Sequence, residues 1–99
     1  MTMNDYLLLM HNDATAVQPD EMWETYFASL RAGGTFDGGS AVGGGLSHRK
    51  AGQPAPLSRH LQGFMRVRAE SLTDAAQFLE GNPVYECGGT VEIRELPRD

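Results

Sequence analysis

Apolar residues fall in short clusters whose spacing alternates between two periods. Tyr6 to His11 is a brief apolar run closed by Asn12-Asp13, which predicts a strand ended by turn-forming side chains. Alternation places Tyr6, Leu8 and Met10 on one face and Leu7, Leu9 and His11 on the other. Both faces are largely apolar, as in a central strand covered on both sides. Trp23, Tyr26, Phe27 and Leu30 then recur at helical spacing, widened by Met22. Pro19 suits the first helical position, Asp20, Glu21 and Glu24 favour the positive end of the helix dipole, and Gly33-Gly34 stops the helix.

Thr35 to about Val42 reads as a second strand, bulged by Gly38 and Gly39. Gly43 to Ser58, rich in glycine with Pro54 and Pro56, predicts a long exposed loop. Leu61 to Arg68 returns to period two, with Leu61, Gly63, Met65 and Val67 opposite Gln62, Phe64, Arg66 and Arg68. Ser71-Leu72-Thr73-Asp74 fits a capping box at the start of a second helix, with Leu72, Ala75, Ala76 and Leu79 as its stripe and Phe78 at the margin. Gly81 and Asn82-Pro83 end that helix, and Thr90 to Leu96 forms the last strand.

The order β-α-β-β-α-β, with two helices of similar length, is the split βαβ arrangement. It predicts an α+β, ferredoxin-like fold in which a four-stranded antiparallel sheet carries both helices on one face. The uncovered face then holds Leu7, Leu9 and Phe64 beside Arg66, Arg68, Glu92 and Arg94. A half-apolar face is a liability in water, and the same face of a second copy covers it economically. A homodimer is expected.

At 99 residues the chain is long enough for one domain, 1–99. Its single cysteine, Cys87, excludes a disulfide framework, and no apolar run is long enough to span a bilayer. A cytoplasmic protein with no membrane partner is expected. The net charge of −5 is unevenly spread. Gly38 to Ala69 contains no acidic residue and five basic ones, Arg49, Lys50, Arg59, Arg66 and Arg68. A basic wall of this kind attracts small anions. Nucleic acid is not expected, because only Phe64 interleaves with these charges as a stacking platform.

Gly38 and Gly43 match the outer glycines of a phosphate loop, but Gly44-Gly45 stand where Lys-Ser/Thr is required. No nucleotide or other organic cofactor is expected. The glycines either let the second strand approach its neighbours or leave Ser40 and nearby amides to bind an anion. His11 is a general acid–base candidate or a structural strand-end histidine. His48 and His60 are separated by a loop and Cys87 has no cysteine partner, so no metal site is expected. Glu86 beside Cys87 disfavours the thiolate. Trp23 lines either the core or a ligand cleft. Arg66 and Arg94 pair with Glu92 or receive a carboxylate ligand.

Tyr6-Leu7-Leu8-Leu9-Met10, the helix ending before Gly33-Gly34-Thr35-Phe36, Gly63-Phe64, and Ser71-Leu72 with Ala75 resemble the YCII-related family of small bacterial proteins. The most specific part is Gly81-Asn82-Pro83-Val84-Tyr85 followed by Gly88 to Arg94. It is similar to the subgroup named after an Asp-Gly-Pro-Phe motif, a tetrapeptide replaced here by Pro56-Leu57-Ser58-Arg59. The resemblance implies a dimeric α+β barrel with a shared cleft. Some members have a proposed His–Asp catalytic pair, but the matching positions here hold Trp23 and Asn82, which cannot exchange protons in that way. The leading expectation is a homodimer binding a small anionic molecule near the interface, with His11, Trp23, Ser40, Arg66 and Asn82 around the cleft. The alternatives are a non-catalytic protein-interaction module, and an isomerase or dehalogenase of lactone-like acids that uses His11 as proton carrier.

Overall fold

The computed structural model describes residues 2–98. Strand β1 (Asn4–His11) is followed by helix α1 (Asp20–Gly33), β2 (Phe36–Ala41) and β3 (Leu61–Ala69). A short helix α2 (Leu72–Ala75) runs into a 3₁₀ turn over Ala76–Leu79, then comes α3 (Pro83–Glu86) and finally β4 (Val91–Leu96). The strands form one antiparallel sheet in the order β2-β3-β1-β4. This is the α+β, ferredoxin-like arrangement, one sheet with one helical layer.

Alternation along β1 sorts the core. Tyr6, Leu8 and Met10 are buried with Met65, Val67 and Ala69 of β3, against Tyr26 and Leu30 of α1 and Phe78 and Val84. Leu7 and Leu9 are only half-buried, so one chain covers one face of its central strand, not both. The open face carries Leu7 between Arg66 and Arg94, and Leu9 between Phe64 and Glu92. Arg66 reaches Asp5 at 3.8 Å, and Arg68 reaches Asp37 at 2.8 Å.

The second half departs from the expected pair of equal helices. The Ser71 hydroxyl does accept the Asp74 N–H at 3.1 Å, but α2 has only four residues before the chain tightens into the 3₁₀ turn. Ala75 is buried as the stripe expects, but Leu72 is left 54 % exposed and Phe78, expected at the margin, is buried. Gly81, at φ +80°, redirects the chain. Pro83 then opens a third helix, with the Asn82 side chain accepting the Tyr85 N–H at 3.1 Å. Pro19 precedes α1 in extended conformation, so it is the cap of that helix and not its first residue.

The expected bulge in β2 is present between Phe36 and Gly39, with Gly38 at φ +98°. Gly39 also permits β2 to pair with β3, because a Cβ there would overlap the Phe64 carbonyl oxygen. The 43–58 segment has no regular structure and is mostly exposed.

Candidate functional site

Trp23, Phe27 and Arg31 follow one another at four-residue steps on α1 and share one side of the helix. Trp23 stacks on Phe27 with centroids 5.6 Å apart, and Phe27 lies 5.6 Å from Phe36. The Arg31 guanidinium carbon sits 5.8 Å from the Phe27 centroid, within cation–π range. Opposite this wall the sheet contributes Gly38, Gly39 and Gly63, where no side chain fills the space. The result is a cavity of about 490 Å³, also lined by Ser40 and Phe64. That size and composition suit a small, flat, mainly apolar molecule.

Arg31 is the one charged residue of the lining, beside the polar Ser40 and Gln62. Arg66, Arg68, Arg94 and Arg98 each reach a carboxylate, whereas Arg31 has no acidic partner among the described residues. The Ser40 hydroxyl donates to the Ala41 carbonyl at 2.9 Å, leaving its oxygen to accept.

A second cluster forms where β1 ends. His11 Nε2 lies 2.6 Å from Glu92 Oε2, and the His60 ring meets His11 edge-on at 4.7 Å. Glu92 Oε1 is 3.5 Å from Arg94. The His11 hydrogen bond, partly opposed by burial, holds the Glu92 carboxyl below its ordinary range. The backbone supporting this cluster is knitted together. Asn12 N–H donates to the His60 carbonyl at 2.8 Å, and the Asn12 amide donates to the Arg59 carbonyl at 2.7 Å. Asp13 accepts both the N–H and the hydroxyl of Thr90 at 2.7 Å. These two bonds lower the Asp13 pKa.

The five residues expected around one cleft are therefore divided. Trp23 and Ser40 share the aromatic cavity. His11 lies on the open sheet face, as alternation predicts, but in the separate cluster with His60 and Glu92. Arg66 is also on the open face and pairs with Asp5, not Glu92. Asn82 is fully buried, its Oδ1 capping α3 and its amide 3.5 Å from Met10 Sδ. It is a core residue, because the Gly81 turn directs it inward where the sequence reading placed it at a cleft. His11, the proton carrier of the isomerase or dehalogenase reading, lies outside the Trp23 cavity, on the open sheet face.

On the sequence Phe27 is read only as part of the α1 stripe, and Arg31 is not singled out. Arg31 could have been found by extending the Trp23 stripe by whole turns. The grouping of His11 with His60 follows only from antiparallel pairing, which brings the end of β1 beside the start of β3. On the sequence His60 is weighed only against His48, across a loop, and no metal site is expected there. Among the described residues, His11, His60 and Glu92 are the group whose ligand atoms lie within 4.8 Å of one another.

A larger open groove, about 1020 Å³, runs between α1 and the 77–81 segment. Its tyrosine hydroxyl and its one cationic side chain, Tyr26 and Arg68, are already engaged. The Tyr26 hydroxyl donates to the Phe78 carbonyl, and burial raises its pKa. Arg68 binds Asp37 and the Gly34 carbonyl. The smaller cavity, with its unpaired cation, is the better ligand site. Among the described residues no helix is long and apolar enough to cross a membrane. No family model matches the chain, and no curated protein matches it.

Proposed function

We propose that the chain is a homodimeric, YCII-like cytoplasmic protein that binds a small anionic molecule with an apolar, flat body in the Trp23 cavity. One observation carries the reading: the single cation of an aromatic-walled cavity, Arg31, has no carboxylate partner among the described residues. A ligand carboxylate supplies that partner, and the Trp23, Phe27 and Phe36 rings supply the apolar contact. This cation lies outside the basic 38–69 stretch on which the sequence-based expectation of an anionic ligand rests.

The homodimer is supported by the open face. Asp5 and Glu92 alternate there with Arg66 and Arg94 around Leu7, Leu9 and the 36 % exposed Phe64. A surface bearing both charges around an apolar centre is self-complementary across a two-fold axis.

Trp23 is the only tryptophan, so its emission reports on the cavity directly. Titration with benzoate is expected to change that emission saturably, and phenol at the same concentrations to change it less. Arg31→Met keeps the apolar stem, removes the charge, and is expected to weaken benzoate binding by about tenfold or more. A response identical for benzoate and phenol, or unchanged in Arg31→Met, refutes the proposal.

A further inference from the structure

We propose that His11, His60 and Glu92 form a binding site for a divalent transition-metal ion of the Zn²⁺ type. The inference is independent of the ligand cavity, which shares none of these residues. Two imidazoles and one carboxylate are the donor set of zinc sites that keep a fourth position open. Here the three come from separate elements, the end of β1, the residue before β3, and β4.

Distances are compatible with a shared ion. The donor atoms lie within 4.8 Å of one another, with His11 Nε2 and Glu92 Oε2 closest at 2.6 Å. A tetrahedral ion about 2.0–2.1 Å from each donor needs donors about 3.3 Å apart. Small side-chain rotations open the His11–Glu92 pair and bring His60 in. The ion replaces the proton shared between His11 and Glu92, and that proton leaves to solvent.

Two further features favour the site. The backbone bearing the ligands is held by Asn12 to the His60 and Arg59 carbonyls, and His11 N–H donates to the Thr90 carbonyl at 2.9 Å. Ligands carried on fixed backbone lose little freedom on binding an ion. Arg94 holds Oε1 of Glu92 at 3.5 Å, which leaves Oε2 directed at His11. Such outer partners orient a metal-binding carboxylate. His60 is exposed while His11 is half-buried, so in the single chain the site opens to solvent through His60 and has one well-anchored ligand.

The test is calorimetric titration of the untagged protein with Zn²⁺, together with the visible spectrum of the Co²⁺ form. One ion per chain and an intense tetrahedral Co²⁺ band are expected. His60→Ala, at an exposed position, and Glu92→Gln are each expected to weaken Zn²⁺ binding by more than about tenfold. His48→Ala, in the 43–58 loop, is expected to leave it unchanged. Circular dichroism establishes that each variant is folded. Absence of Zn²⁺ binding, equal affinity in wild type, His60→Ala and Glu92→Gln, or loss of binding in His48→Ala would overturn the assignment.

Discussion

The two faces of the sheet are built from alternate residues of the same strands, yet different forces govern them. On the covered face Leu8, Met65 and Val67 are at most 1 % exposed and pack under α1 and the 72–86 segment. On the open face Leu7 and Leu9 are half-buried among Asp5, Arg66, Glu92 and Arg94. Dispersion and burial hold the first; exposed ion pairs, each worth little in water, decorate the second. Stability therefore resides mainly on one face. The other face is available for partners and chemistry, and the ligand cavity lies where the covered face is interrupted by glycine.

The sharpest way to break that comparison is to truncate one leucine on each face. Leu8→Ala is expected to cost about 2–5 kcal/mol, because it opens a cavity in the closed core. For a domain of this size that lowers the melting temperature by about 10 °C or more. Leu7→Ala, measured by the same urea or thermal unfolding, is expected to cost much less at concentrations where the chain is monomeric. Equal losses would mean that the two faces do not differ as described.

Gly39→Val is expected to have the next largest effect. Its side chain would collide with the Phe64 backbone, prising β2 from β3 and removing one wall of the cavity. A melting temperature lowered by several degrees should accompany loss of the Trp23 response to benzoate. Leu9→Glu acts on the open face, outside the cavity lining. Sedimentation should show a dimer for the wild type and a monomer for this variant, with unchanged circular dichroism. A wild-type monomer at micromolar concentration would remove the dimer from the proposal.

The smallest expected effect is electrostatic. The pKa of Glu92 is lowered in the folded protein, chiefly by the His11 hydrogen bond. Its contribution is therefore complete above the ordinary carboxylate pKa and disappears as pH falls through the depressed folded value. Stability measured across that acid range should fall less steeply in Glu92→Gln than in wild type. Identical slopes would show that the His11–Glu92 contact adds nothing to folding in solution.

Strand periodicity, the glycine stops and the Ser71 cap made the topology legible, since each is a local signal with a local cause. The short helices were not legible. Whether Ala76 to Leu79 continues an α-helix or tightens depends on how Phe78 reaches the core, which is a tertiary outcome. Asn82 is expected at a cleft only through the family resemblance, and its place in the core is likewise a tertiary outcome, set by the Gly81 bend that carries it inward. Trp23 and Ser40 do meet in one cavity, but Arg31 was overlooked because it lies beyond the aromatic part of the stripe. The His11–His60–Glu92 group depends on strand register, which spacing along one chain does not encode.

The most direct test of ligand binding at the interrupted covered face is an amide and indole nuclear magnetic resonance titration of the ¹⁵N-labelled protein with benzoate. The Trp23 indole and the amides of Gly38, Gly39, Ser40 and Gly63 are expected to shift together and saturate, while those of Leu7 and Leu9 stay in place. Shifts centred on the open face, or none at the Trp23 cavity, would contradict it.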